Sequence, residues 1–270
     1  MNAYLFFDIV KFIIGSTIIL ILSRKGKLEF IKISNYLVFG AIIGILGAKM
    51  YSVIFTFLSS PGFYVENPGL LWNHFNTGGA YYGGFLLVVF YSIIYVKKFL
   101  KKNFWTMFDI TVIGLAIDQM FGRIGCFAAG CCYGKPTSIP WGVKFHFLDS
   151  RPHPFSNTYI HPTQIYECIL NLCNFFFLFL MWKKRKYEGK VFSFYLINYG
   201  FIRFFIEYLR NDDGRGYLIR GSSALTSLSY PQIISLILII TGIIILKKRK
   251  GIERAKSILQ QNVYGKQDNG

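Results

Sequence analysis

Arginine, glycine and cysteine occur together in FGRIGCFAAGCCYG, residues 121–134, which ends a long apolar run. An ionisable side chain at membrane depth costs about 2.5–3.5 kcal/mol on insertion scales, so Arg123 indicates a function or a buried partner. A guanidinium can bind a phosphate group through two parallel hydrogen bonds. Gly130 and Gly134 permit a tight turn or the close approach of a ligand. The chemistry that this stretch indicates is the binding of a lipid phosphate.

A second ionisable cluster lies in the apolar stretch YGFIRFFIEYLRND. Tyr199, Arg203 and Glu207 are spaced by four residues, so they share one face of a helix. Arg210 falls close to the same face. Two readings are open, namely phosphate binding by Arg123 and Arg203, or an ion pair that only fixes helix packing. The shortage of acidic residues near the two arginines favours a phosphate.

The stretch HPTQIYE, residues 161–167, marks the start of a further helix, because proline suits a first helical turn. Gln164 and Glu167 then lie on adjacent turns, and His161 lies at the outer membrane surface. We expect Glu167 to be the buried partner of Arg123 or Arg203. The alternative for His161 is a simple helix start without a chemical role.

Glycines also surround two tyrosines in TGGAYYGG, residues 77–84. Small residues allow close contact between membrane helices, and they also allow the approach of a lipid backbone. Both readings are open.

The elements that carry these residues are apolar and long. The chain has 270 residues, of which 53% are hydrophobic and only 16% charged, a composition that excludes an ordinary soluble domain. We predict an all-α integral membrane protein with seven spans, at about residues 4–22, 36–58, 79–96, 107–127, 163–182, 191–209 and 230–246. These form one transmembrane domain, 1–246, followed by a basic, mobile cytoplasmic tail, 247–270.

The net charge of +17 is placed in alternate loops, which argues against nucleic acid as a partner. By the positive-inside bias, the N-terminus is outside and the C-terminus is cytoplasmic. The basic loops are also expected to attract anionic lipid headgroups. The basic clusters lie at 24–32, 97–102, 183–190 and 247–256.

Five cysteines are present, and Cys168 and Cys173 are expected only to pack. Cys126, Cys131 and Cys132 lack the paired spacing of a zinc site, so no metal and no organic cofactor is predicted. Packing of a tight outer loop is the favoured reading of this trio. The alternative is a disulfide between Cys126 and one of the vicinal pair.

In order along the chain, GRIGCF, GCCYG, PWG, HPTQIYE and YGxxRxxxE resemble the motifs of the phosphatidylglycerol–prolipoprotein diacylglyceryl transferases. The similarity runs from about residue 36 to 246 and includes GAKMYSV, where Lys49 stands for the family's arginine. This chain departs from the family pattern at Cys126, where asparagine is usual, and at Cys131, where an acid is usual. Many members also have histidine where this chain has Tyr82.

The resemblance implies a multi-pass enzyme of the bacterial inner membrane that uses no cofactor. Its partners would be the membrane, phosphatidylglycerol and a preprolipoprotein signal peptide. The diacylglyceryl group moves to the thiol of the lipobox cysteine, glycerol phosphate leaves, and a thioether forms. The rival readings are a related enzyme with another acceptor, a phospholipid transporter or scramblase, and a non-catalytic scaffold.

The resemblance also implies site residues. Arg123 and Arg203 would hold the phosphate of phosphatidylglycerol and stabilise the leaving group. The substrate-binding group would further include Tyr199, Gly134, Gln164 and Glu167. The candidates for the base that deprotonates the thiol are Tyr82, His161 and Glu207, and a tyrosine assisted by an arginine is favoured.

Overall fold

The computed structural model describes residues 3–77, 81–100, 104–148, 151–152, 154–211, 216–219 and 227–267. The prediction of an all-α membrane protein is confirmed. The helices are α1 (Ala3–Lys25), α2 (Phe30–Ser59), α3 (Pro61–Glu66), α4 (Pro68–Thr77), α5 (Tyr81–Tyr95) with a π-helical extension (Val96–Leu100), α6 (Phe104–Ala129), α7 (Thr163–Lys183), α8 (Lys190–Leu209) and α9 (Tyr230–Gln267).

Short strands form two antiparallel ribbons in the loops. β1 (Phe147–Leu148) pairs with β2 (Arg151–Pro152), and β3 (Tyr217–Ile219) pairs with β4 (Leu228–Ser229). The segment 59–77, between the second and third predicted spans, contains α3 and α4. Each of these helices begins with a proline, whose fixed φ suits the first helical position.

Six helices of the described residues are long and apolar enough to cross a membrane. They are Phe6–Lys25, Phe30–Ser59, Gly83–Leu100, Phe104–Ala129, Thr163–Lys183 and Tyr230–Gln260. The predicted span at 191–209 corresponds to α8, which is not among them. Polar residues such as Asn198, Arg203 and Glu207 lower its hydropathy. α9 continues as a helix beyond the predicted boundary at 246, and the mobility of the tail stays a prediction.

Residues 20–107 form one compact unit. Within it, α2 and α5 meet through small residues, since a Cβ built on Gly84 would lie 2.6 Å from the Gly44 carbonyl oxygen. The close-contact reading of TGGAYYGG therefore accounts for its last two glycines, whereas residues 78–80 lie outside the described residues. The buried hydroxyl groups of Tyr36 and Ser92 also join these helices, 3.0 Å apart.

Residues 1–19 and 108–270 form the second unit, which contains the arginine-bearing helices. The register of α8 is fixed at its start by Asp109 of α6. Its buried carboxylate accepts hydrogen bonds from the backbone N–H groups of Gly189, at 2.9 Å, and Phe192, at 2.8 Å. A carboxylate is favourable there because the first N–H groups of a helix lack partners within the helix. In α1, Lys11 Nζ lies 2.6 Å from Asp8 Oδ1, which partly neutralises both charges.

Candidate active site

Glu167 of α7 is the centre of a buried ionic cluster. Its side chain is only 1% exposed, and its Oε2 lies 2.8 Å from Arg123 Nη2. Its Oε1 lies 3.5 Å from Arg203 Nη1 and 3.8 Å from Arg210 Nη1. Glu167 was expected to pair with one of two arginines, and the structure brings it to both, with a third alongside. One carboxylate thus joins the end of α6 to α8 and to the residue that follows α8.

Glu207 is the second acid of the cluster. Its Oε2 lies 3.1 Å from Arg203 Nη2, one helical turn earlier on α8, as the spacing predicted. Its Oε1 accepts a hydrogen bond of 3.1 Å from Ser229 Oγ, directly before α9. Because Glu207 and Ser229 are both buried, Glu207 holds Arg203 in place from a fixed position.

The ionic cluster carries a net positive charge. Three guanidinium groups and two carboxylates give these five side chains one net positive charge. The Arg123 and Arg203 side chains are 19% and 14% exposed, whereas both acids are almost fully buried. Arg203 Nη1 makes no hydrogen bond with any residue that the structure describes. An N–H donor without a hydrogen bond, next to a net positive charge, is suited to bind an anionic oxygen.

Gly134 lies between the start of α7 and the end of α8. Its N–H donates to the His161 carbonyl at 3.0 Å, and the next N–H, of Lys135, donates to the Leu209 carbonyl at 2.7 Å. A Cβ at position 134 would lie 2.6 Å from both the Cβ and the carbonyl oxygen of His161. The close approach of three chain segments therefore explains this glycine, and its predicted part in substrate binding stays a prediction.

Gln164 and Thr163 attach the first turn of α7 to the cysteine loop. Gln164 Nε2 donates to the Cys131 carbonyl at 2.6 Å, and Thr163 Oγ1 donates to the Cys132 carbonyl at 2.7 Å. Gln164 Oε1 is buried and makes no hydrogen bond within the described part of the chain. The Gln164 side chain thus positions the loop that follows Arg123. Its Oε1 can still accept a hydrogen bond.

The imidazole of His161 lies beside the aromatic ring of Tyr166. Its Nδ1 lies 3.4 Å from Tyr166 Oη, which also accepts a 2.9 Å hydrogen bond from Trp141 Nε1. Desolvation lowers the pKa of His161 below its ordinary value of 6.5. The imidazole is therefore neutral near pH 7, the form that a general base requires.

The structure says less about the roles of the two remaining predicted site residues, Tyr199 and Tyr82. Tyr199 is half-buried and stacks on Tyr195, with ring centroids 5.7 Å apart. Tyr82 lies in the first turn of α5, and its side chain lies outside what the structure describes. Its predicted role as base stays a prediction.

Comparison with known proteins gives the family. A family model described as prolipoprotein diacylglyceryl transferase matches residues 1–247. A phosphatidylglycerol–prolipoprotein diacylglyceryl transferase of Clostridium tetani (strain Massachusetts / E88) is 40% identical over 231 residues, covering 83% of each chain. The chain belongs to this family. Relatives named as the same transferase in Clostridium perfringens and Clostridioides difficile are 36% and 31% identical, covering 80% and 84% of their lengths.

In this member of the prolipoprotein diacylglyceryl transferase family, the three cysteines at and after the end of α6 converge. The sulfur atoms of Cys126, Cys131 and Cys132 all lie within 4.8 Å of one another, and all three are free thiols. The structure has no bond between Cys126 and the vicinal pair, and the alternative of a disulfide stays a prediction. Hydrogen bonds from the other two thiols, with help from Arg210 and Arg123, hold the pKa of Cys132 below its ordinary value.

The sequence did not assign a role to three residues that belong to the ionic cluster or support it. Arg210 follows Arg203 by seven residues, a spacing that already placed it near the same helix face. Ser229 and Gln232 form a capping box at the start of α9, where Ser229 N donates to Gln232 Oε1 at 3.0 Å. The pattern S-x-x-Q before an apolar run is a recognisable signal for such a box. Ser229 thereby reaches Glu207.

Proposed function

We propose that this protein transfers the diacylglyceryl group of phosphatidylglycerol to the thiol of a lipobox cysteine in preprolipoproteins. Family membership supports this proposal, as do the names of the relatives. The structural observation that carries it is the arginine cluster around Glu167, with its surplus positive charge and the donor Arg203 Nη1, which lies 3.5 Å from Glu167 Oε1 but makes no hydrogen bond within the described residues. The donor lipid is an anion with a phosphodiester, which is the chemistry that this cluster is suited to hold.

In the proposed reaction, the acceptor sulfur attacks the glyceryl carbon next to the phosphate. The S–H bond gives up its proton to a base, the S–C bond forms, and the C–O bond to the phosphate breaks. Glycerol phosphate leaves with the electron pair. Arg123 and Arg203 bind the phosphate oxygens and neutralise the charge that develops as the leaving group departs. No cofactor is needed for this balance.

Glu167 and Glu207 position these guanidinium groups. A long arginine side chain loses entropy when it is fixed, and a preset arginine avoids that loss when substrate binds. Glu167 contacts all three arginines from a buried site, and Glu207 fixes Arg203 by a contact at 3.1 Å. The acids are thus positioning residues in this proposal, and the arginines contact the substrate.

Tyr82, assisted by an arginine, is the proposed base. His161 and Glu207 are the alternatives. His161 has the neutral form that a base requires, but its imidazole lies against Tyr166. Glu207 already contacts Arg203 and accepts from Ser229. Tyr199, Gln164 and Gly134 complete the proposed substrate site.

The proposed topology has seven spans in the bacterial inner membrane, with the N-terminus outside and the C-terminus in the cytoplasm. α8 is the seventh span in this proposal. Its two intramembrane charges are paired, so they cost less than the hydropathy of the helix implies. Seven spans place every basic cluster on the cytoplasmic side.

The test is a transfer assay on the purified full-length protein in detergent. It supplies phosphatidylglycerol and a lipobox peptide with one cysteine, and it follows the release of glycerol phosphate. Arg123→Ala and Arg203→Ala should abolish most of the release, whereas Arg254→Ala, an exposed arginine of α9, should leave it unchanged. A peptide with serine in place of cysteine should give none.

Two other outcomes would overturn the proposal. Phosphatidylglycerol that binds but is never turned over with the peptide would indicate another acceptor. Movement of the lipid between leaflets of a vesicle, without any release of glycerol phosphate, would indicate a transporter or scramblase.

A further inference from the structure

Three cysteine thiols converge beside the arginine cluster. Cys126 lies in the last turn of α6, and Cys131 and Cys132 lie in the loop that follows. Their Sγ atoms are all within 4.8 Å of one another. We propose that these three thiols bind one thiophilic metal ion of the Zn²⁺ class. This site is separate from the transfer reaction and does not depend on it.

The distances fit such an ion. Zn–S bonds are about 2.3 Å long, so tetrahedral geometry places two coordinating sulfurs about 3.8 Å apart. The observed upper limit of 4.8 Å therefore requires side-chain movements of about 1 Å or less. Three thiolates leave a fourth coordination position for water. The three side chains are half-buried, so an ion can reach them.

The backbone holds the three ligands in this arrangement. Gly130, with φ of 72°, and Cys132, with φ of 60°, both adopt the left-handed conformation and turn the chain back towards α6. Side chains are rarely found there unless the surroundings fix them. The carbonyls of Cys131 and Cys132 are held by Gln164 and Thr163. The thiols are therefore carried on a fixed loop rather than a free one.

The charges around the thiols also fit. A Zn²⁺ ion with three thiolates carries one net negative charge. Arg123 and Arg210 both interact electrostatically with Cys132, so the complex would form beside positive charge. The spacing of the trio hid this arrangement, because Cys126 is brought to the vicinal pair by the end of a helix and not by a paired motif.

Binding would join α6 to the cysteine loop, and through Gln164 and Thr163 to α7. An ion that binds only the folded protein raises its stability with concentration. We therefore expect the ion to increase the melting temperature and to fix the end of the helix that carries Arg123.

The first experiment uses Co²⁺ as a spectroscopic probe for Zn²⁺. The reduced full-length protein in detergent is titrated under anaerobic conditions, and visible and near-ultraviolet absorption is followed. We expect thiolate-to-metal charge transfer that saturates at one ion per chain and disappears when Zn²⁺ is added. Cys126→Ser, Cys131→Ser and Cys132→Ser should each weaken binding at least about tenfold, since even an outer-shell partner is worth that much.

The matched control is the double variant Cys168→Ser/Cys173→Ser, which removes the two cysteines of α7 and should bind Co²⁺ like the original protein. A second readout needs no variant. Zn²⁺ should protect Cys126, Cys131 and Cys132 of the unaltered protein from alkylation by N-ethylmaleimide, as mapped by mass spectrometry, and leave Cys173 reactive. Absence of charge transfer, binding that survives loss of the trio, or alkylation unaffected by Zn²⁺ would each overturn the proposal.

Discussion

At the scale of single residues, Arg123 and Arg203 are the side chains with most to contribute to a reaction. Their side chains are more exposed than those of the acids that hold them. Removal of one preset donor to a developing negative charge typically lowers the rate about 100–1000-fold. We expect Arg203→Ala to lower the kcat for glycerol phosphate release by that factor.

Arg203→Lys tests the geometry of the same contact. Lysine keeps the charge but cannot form the two parallel hydrogen bonds of a guanidinium. We expect its activity to lie between that of the original protein and that of Arg203→Ala. Equal activity of Arg203→Lys and the original protein would contradict bidentate phosphate binding.

Glu167→Gln tests the buried carboxylate. The change leaves three guanidinium groups without their shared acid, and breaking a buried ion pair by removal of one partner costs about 3–5 kcal/mol. Thermal unfolding in detergent should show a clear fall in melting temperature. Glu66→Gln, at an exposed site at the end of α3, is the control and should change the melting temperature little. A stable Glu167→Gln protein would contradict the role of Glu167 as the centre of the cluster.

His161 makes stability depend on pH. Its folded-state pKa lies below the unfolded value of about 6.5, because burial disfavours the charged form. Above that pH the histidine is neutral in both states and contributes no pH dependence. Below it the unfolded chain binds the proton first, so the free energy of unfolding falls as pH decreases.

Melting temperatures between pH 5 and 8 test this pH dependence. His161→Gln should reduce the loss of stability in acid, whereas His146→Gln, at an exposed site, should retain it. The kcat values of the same two variants show whether His161 acts as a base or has only a structural role. A His161→Gln protein with full kcat would remove His161 from the candidate bases.

At the scale of elements, the site depends on a loop that fits between two helices. Gly134 lies where the start of α7 and the end of α8 approach, and an added Cβ would collide with His161. Overpacking of this kind typically costs about 1–3 kcal/mol. We expect Gly134→Ala to lower the melting temperature and the activity together. Gly62→Ala, where a Cβ would meet nothing within 4 Å, should have little effect.

The sequence predicted the ionic contacts within α8 better than those between elements. The spacing of Arg203 and Glu207 followed from helical geometry, and Glu167 was a sound candidate partner because intramembrane charges require one. Asp109 shows the limit. This acid of α6 binds the first backbone N–H groups of α8. The sequence does not indicate that contact, because it depends on how the two helices pack. The convergence of the three thiols was hidden for a local reason, because Cys126 lies in the last turn of α6 and the vicinal pair lies in the loop that follows it.

At the scale of the whole molecule, hydropathy and charge give different answers about α8. Hydropathy alone counts six candidate spans among the described residues, whereas the alternating basic loops require seven. In the proposed topology α8 crosses the membrane, and its charged groups are paired, since Arg203 contacts both Glu167 and Glu207. Paired charges within a membrane protein do not face lipid, so a low mean hydropathy does not exclude a span.

The two ends of α8 provide the decisive measurement. A short epitope is inserted at Lys186, before the helix, or at Leu218, after it, both at exposed positions. Antibody binding to spheroplasts is then measured before and after permeabilisation. We expect the epitope at Leu218 to be accessible from outside and the epitope at Lys186 only after permeabilisation. A C-terminal tag, expected to behave like Lys186, is the control for orientation. If both insertions behave alike, α8 does not cross, and Arg203 and Glu207 could not form a site within the membrane.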